Sequence, residues 1–225
     1  MQRVNDSVLG GLERPALAWL ARRLPRAVVP NHLTALAALG AALAGAGFVL
    51  STHSLTWLWM ASLGLLLHWL GDSLDGTLAR LRHIERPRFG FFIDHTSDLF
   101  SQSVIFITLG ISPLTRFGIA CLGLIAFLIA FVYTMVAAQT RGTLRITYLH
   151  FGPTEMRALL LAGNLITLKA GIVDLRNYLP LPVTLGAVSM HDGVIALLAA
   201  SAIAAVLLTA MRDAQQLAAE DPPRT

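Results

Sequence analysis

Apolar runs of bilayer-spanning length recur along this chain, and they constrain its fold more than any other feature. A membrane-crossing helix needs ~20 apolar residues. Six segments reach or approach that length, near residues 33–52, 55–71, 91–112, 117–138, 154–173 and 192–211. The second is apolar only as far as Gly71, but its helical periodicity continues to about Leu81, so its end is expected to protrude into water. Charged residues make up 13% of the 225, against roughly 25% in an average soluble domain. Apolar residues make up 55%, and mean hydropathy is +0.65. These values exclude a soluble enzyme and a disordered chain. Period-two alternation is lacking, which disfavours a transmembrane β-barrel. The expected fold is all-α: a polytopic membrane protein with six transmembrane helices. Cys121 is the single cysteine, so no intrachain disulfide forms.

The flanks refine this reading. Residues 7–24 are amphipathic, with Val8, Leu9, Leu12, Ala16, Leu20 and Leu24 set against Glu13, Arg14, Arg22 and Arg23. The segment is too charged to span and is expected to lie in the interface, with Trp19 at headgroup level. Pro15 falls inside it and is expected to kink or start the helix. Asp6, Glu13 and the arginines also interrupt any cleavable signal sequence. Pro25 and Pro30 mark a break, after which Asn31 is a candidate cap for the first span. Residues 33–211 form the expected six-helix core and 212–225 a polar tail, all in one domain, 1–225. Fourteen of the 17 Lys and Arg residues flank alternate ends of the spans, against Arg116, Lys169 and Arg176 on the other side. This asymmetry places both termini in the cytoplasm.

The acidic residues point to function. Asp72, Asp75, Asp94 and Asp98 fall at membrane-proximal depth, where ionisable groups are costly and face a polar interior. Asp72 and Asp75 are i,i+3 on one helix; Asp94 and Asp98 are i,i+4 on the next. Brought together, four carboxylates repel unless a cation intervenes, and Mg²⁺, Mn²⁺ and Ca²⁺ all favour oxygen ligands. Gly76 and Gly90 allow close backbone approach, and Arg80 can meet a phosphate.

The segment Asp72-Ser-Leu-Asp75-Gly76-Thr-Leu-Ala79-Arg80, followed by Gly90-Phe-Phe-Ile-Asp94-His-Thr-Ser-Asp98, resembles the D-x2-D-G-x2-A-R … G-x3-D-x3-D signature of the CDP-alcohol phosphotransferases. All eight defining residues match. The spacer Leu81–Phe89 is one residue longer than the usual seven or eight, in a basic loop containing Arg82, Arg86 and Arg88. Pro30-Asn31-His-Leu-Thr34 is similar to the P-N-x-x-T start of that family, so the likeness covers nearly the whole chain.

The resemblance implies transfer of a phosphate-bearing group from a CDP-linked donor to an alcohol, with release of CMP, in phospholipid biosynthesis. It implies two Mg²⁺ or Mn²⁺ ions held by Asp72, Asp75, Asp94 and Asp98, with Asp98 the candidate general base and His95 its rival. It implies a nucleotide site of Asn31, Thr34, Asp72, Gly76, Ala79, Arg80 and Gly90. Arg141, Arg145, Glu155 and Arg157 are weaker candidates for an acceptor or phosphate site; Glu155 and Arg157 fit a helix cap and a snorkelling flank equally well. His68 reads as an interhelical packing histidine. The Asp94-His95 pair, and Gln139–Arg145 followed by Thr154-Glu155, resemble the choline/ethanolamine phosphotransferase branch. This favours CDP-choline or CDP-ethanolamine reacting with diacylglycerol. The alternative is a CDP-diacylglycerol-dependent phosphatidyltransferase acting on a small alcohol of the glycerol phosphate or inositol phosphate type, although Leu99 stands where those enzymes often carry Lys or Arg. The family likeness implies a homodimer with membrane lipids around it and no nucleic acid, in a bacterial inner membrane with the active site on the cytoplasmic side. A divalent-cation transporter is the competing class, but it leaves Gly76, Ala79, Arg80 and Gly90 unexplained.

Overall fold

The computed structural model describes residues 2–4, 10–145, 152–179 and 186–221. Seven α-helices carry it: α1 (Gly10–Arg23), α2 (Pro30–Leu50), α3 (Leu58–Arg82), α4 (Pro87–Ile111), α5 (Phe117–Arg141), α6 (Pro153–Ala170) and α7 (Met190–Glu220). Two three-residue segments, β1 (Gln2–Val4) and β2 (Thr143–Arg145), pair in parallel at one edge. By length and composition α2, α5 and α7 can cross a membrane. The expected six-span count is thus met by three helices on that measure. The other three coincide with α3 and α4, diluted by the aspartates and arginines, and with α6, which has 18 residues and carries Glu155, Arg157 and Lys169.

Proline sets the starts. Pro30, Pro87 and Pro153 each occupy the first turn of a helix, where the missing N–H costs nothing. Helix α2 therefore begins at Pro30 with Val29 as its N-cap, and Asn31 lies exposed in the first turn, not at the expected capping position. Pro15 sits inside α1, where residue i−4 is Gly11. The polar tail is mostly helical, because its Ala, Gln, Leu and Glu residues extend α7 to Glu220.

The α2–α3 pair is the tightest contact. A Cβ on Gly40 would lie 2.4 Å from the His68 nitrogen, one on Gly47 2.3 Å from the Ala61 nitrogen, and one on Gly64 2.2 Å from the Ala44 nitrogen. Gly71 would meet the Leu33 oxygen at 2.4 Å and the Ala37 nitrogen at 2.5 Å. The glycines recur every seven residues on both helices, so two backbones interlock along an antiparallel seam. Gly40 and Gly47 of α2 serve this packing, whereas Gly45 faces Val104 and Thr108 of α4. Helix α4 packs against α2 and α5, and its backbone stands off from α3.

Helix α1 docks on α3 through one face. Glu13, Leu17 and Ala21 follow one another at successive turns, with Leu17 and Ala21 buried. Leu17, Ala21, Leu33, Leu74 and Leu78 form a small core on this side. A larger one, including Phe48, Leu58, Leu65, Ile105, Phe106 and Leu109, fills the far side. The Arg82 guanidinium donates to the carbonyls of Val28 (2.6 Å), Leu24 (2.8 Å), Pro25 (3.0 Å) and Arg26 (3.4 Å), tying the end of α3 to the α1–α2 connection.

Candidate functional site

The α2–α3 register determines what each aspartate faces. Continuing the interlock past Gly71 sets Thr34 opposite Asp75, and the Thr34 hydroxyl donates to Asp75 Oδ2 at 2.7 Å. Asp75 also accepts from the Gly76 N–H at 2.5 Å and is buried. Asp72, one turn earlier, turns to the other side. Arg157 of α6 donates through Nη1 to Asp72 Oδ2 at 2.8 Å, and its Nη2 lies 3.1 Å from His68 Nε2. Arg157 is 4% exposed, and its Nε has no partner in the structure. His68, also buried, places Nδ1 3.2 Å from the Ala37 carbonyl.

Across the gap, α4 presents Asp94 and Asp98. One carboxylate oxygen from each of Asp72, Asp94 and Asp98 lies within 4.8 Å of the others. All three residues are half-buried. Three carboxylates beside the buried Arg157 leave an excess of negative charge, and their donors are all oxygen. That set suits a hard divalent cation, whose positive charge would relieve the repulsion. Asp75, expected as a fourth ligand, lies outside this group with Thr34 as its partner.

His95 occupies a different environment. Its Nδ1 donates to the Phe91 carbonyl at 2.9 Å, and its ring stacks on Phe91 at 4.1 Å and tilts against Phe131 at 6.0 Å. Its Nδ1 is 3.6 Å from its neighbour Asp94, but α5 aromatics share the space around the ring.

The nucleotide candidates line the same end. Ala79 is half-buried. Arg80 folds over Gly76, where a Cβ would lie 3.2 Å from Arg80 Nη1, and Nη2 reaches the Thr77 hydroxyl at 3.4 Å. Gly90 has open space around it. The weaker acceptor candidates disperse. Arg141 pairs with Asp213 of α7 and donates to Gln216 at 2.6 Å. Glu155 is buried and accepts from the Gly152 N–H at 2.9 Å, closing the start of α6. The Arg145 side chain lies outside the described residues. Of the three described side chains, Arg157 is the one brought to the carboxylates.

Sequence reasoning missed Glu13. Its carboxylate accepts from Trp69 Nε1 (2.8 Å) and the Ser73 hydroxyl (2.9 Å) on α3, and from the Thr154 hydroxyl (3.3 Å) on α6. It thus pins α1 beside Asp72. Its i,i+4 spacing from Leu17 was the available signal.

The chain matches known proteins at the level of family and fold. A model of the CDP-alcohol phosphatidyltransferase family matches residues 27–211. Among solved structures, the chain is similar to that of Mycobacterium tuberculosis phosphatidylinositol phosphate synthase (PgsA1) with CDP-DAG bound. The two share 20% identity with a TM-score of 0.56, over 88% of this chain and 91% of that one. No curated protein matches. That solved enzyme stands outside the choline/ethanolamine branch favoured by the Asp94-His95 pair, and it fits the alternative donor better. With Asp72, Asp94 and Asp98 of its signature gathered between α3 and α4, this apolar helical chain belongs to the CDP-alcohol phosphatidyltransferase family, whose members are membrane transferases of phospholipid biosynthesis.

Proposed function

We propose that the protein is a metal-dependent phosphatidyltransferase that takes CDP-diacylglycerol as donor and a small alcohol as acceptor. The gathering of Asp72, Asp94 and Asp98 at the family signature carries this reading. The CDP-DAG bound in the similar solved fold supports the choice of donor over CDP-choline or CDP-ethanolamine.

In the proposed reaction the acceptor hydroxyl oxygen attacks the phosphatidyl phosphorus. The bond from that phosphorus to the CMP oxygen breaks, and CMP departs. Asp98 receives the hydroxyl proton. Asp72, Asp94 and Asp98 would hold Mg²⁺ or Mn²⁺, which when bound neutralises the pyrophosphate charge. Asp75, fixed by Thr34, shapes the wall beneath the nucleotide, and the bare Gly76 leaves room for it. Arg80, at the exposed end of α3, meets the phosphates by folding out from Gly76. His95 serves packing, because Phe91 and Phe131 hold its ring.

The same reading makes residues 1–225 one membrane domain. Helices α2 to α7 span the bilayer, α1 lies in the interface, and the carboxylates sit at the cytoplasmic end.

The test is CMP release by the purified protein from CDP-diacylglycerol, CDP-choline and CDP-ethanolamine, each with a panel of alcohol acceptors and diacylglycerol. We expect turnover with CDP-diacylglycerol, dependent on Mg²⁺ or Mn²⁺ and lost in Asp94→Asn. Release from CDP-choline alone would return the protein to the other branch. Metal flux in liposomes without CMP release would make it a transporter.

A further inference from the structure

Asp72 is held by a relay that crosses three helices. Arginine has donors only, so the Arg157 Nη2 contact makes His68 Nε2 the acceptor. The His68 proton then sits on Nδ1, which donates to the Ala37 carbonyl. His68 and Asp72 are i,i+4 on α3, and one guanidinium bridges both. Arg157 and His68 are 4% and 1% exposed, so neither bond is shared with bulk water. Without His68, the Arg157 fork has one fixed end and can swing about the Asp72 contact.

We propose that His68 is a positioning residue: by accepting from Arg157 it fixes the guanidinium that aims the Asp72 carboxylate at Asp94 and Asp98, and so sets the affinity of that carboxylate group for a divalent cation. The proposal rests on the metal reading given above. Partners behind a ligand typically change metal affinity 10–100-fold. His68 is a cleaner probe than Arg157, because replacing it with a neutral residue changes no charge near the cation.

The two ring nitrogens can be tested apart. In His68→Gln the amide oxygen reaches the Nε2 position and keeps an acceptor for Arg157. In His68→Asn the shorter amide reaches only the Nδ1 position and keeps the donor to Ala37. The probe is Mn²⁺ alone, titrated into purified full-length protein without substrates and followed by electron paramagnetic resonance. Asp94→Asn identifies the site.

We expect His68→Asn to weaken Mn²⁺ binding by about tenfold and His68→Gln to bind close to wild type, with both eluting as folded protein. Equal affinity in His68→Asn and wild type overturns the relay. Equal loss in both variants also overturns it, since that makes the histidine a packing residue. Absence of Mn²⁺ binding in wild type defeats the metal reading itself, a distinct result.

Discussion

Gly71 and Gly76 lie five residues apart on α3, and the structure assigns them opposite consequences when each becomes alanine. In a helix interior, Gly→Ala alone stabilises by about 1 kcal/mol. At Gly71 the new methyl would meet the Leu33 oxygen at 2.4 Å, the Ala37 nitrogen at 2.5 Å and the Ala37 Cα at 2.9 Å. Normal contacts need about 3.5–4 Å, and backbone atoms cannot rotate away. Helix α2 must then retreat by on the order of 1 Å, and overpacking of this kind costs about 1–3 kcal/mol. The retreat also pulls Thr34, next to Leu33, from Asp75, which lies four residues beyond Gly71. At Gly76 the methyl meets only the mobile tip of Arg80, at 3.2 Å. Gly76→Ala should therefore keep or slightly raise stability while narrowing the proposed nucleotide wall. Thermal unfolding in detergent measures the first effect. With 1 kcal/mol shifting Tm by roughly 2–4 °C at this chain length, and the helix gain of about 1 kcal/mol offsetting part of the overpacking cost, Gly71→Ala should lower Tm by up to roughly 8 °C. Gly76→Ala should hold Tm and raise KM for the CDP-linked donor. A Gly71→Ala protein more stable than wild type, by the full helix gain of about 1 kcal/mol, would refute the close approach of α2 and α3. A destabilised Gly76→Ala protein with unchanged KM would refute the nucleotide role.

Three further outcomes follow from particular contacts. Glu13→Ala removes a charged acceptor from Trp69, Ser73 and Thr154; with hydrogen bonds to charged groups worth about 1.5–3 kcal/mol, proteolysis should cut α1 earlier than in wild type. Arg141→Met breaks the pairing with Asp213 and Gln216 and should lower Tm, while KM for the acceptor holds; a raised acceptor KM would restore Arg141 to the acceptor site. Asn164→Leu removes a buried donor to Ser62 on the α3–α6 seam and should lower Tm with CMP release per folded molecule preserved.

Local spacing made the helices and the signature legible. The i,i+3 and i,i+4 aspartates and the apolar runs express their meaning within a few residues of themselves. Partners far along the chain were not legible. That Asp75 turns to Thr34 depends on a seam set by Gly40, Gly47, Gly64 and Gly71. That Asp72 takes Arg157 depends on where α6 docks. Glu13 sits among arginines in the sequence and looks solvated until Trp69 and Thr154 are placed beside it. Glu155 carried its capping role openly, two residues after Pro153, and in the structure it accepts from the Gly152 N–H. Helix starts were misjudged by up to four residues where proline opened α4 ahead of the apolar run.

Arg82 makes a cross-link without cysteine. Its guanidinium gathers carbonyls from residues 24 to 28, so the chain from there to residue 82 is closed into a ring around the α2–α3 hairpin. Closing a loop costs entropy that grows only slowly with its length, and several donors on one side chain share that cost. The clasp can form only after the hairpin exists, since α3 must bring Arg82 back beside Leu24. It therefore orders assembly: the hairpin precedes the clasp. Release runs in reverse, and the α1–α2 connection and the end of α3 should come free in one step.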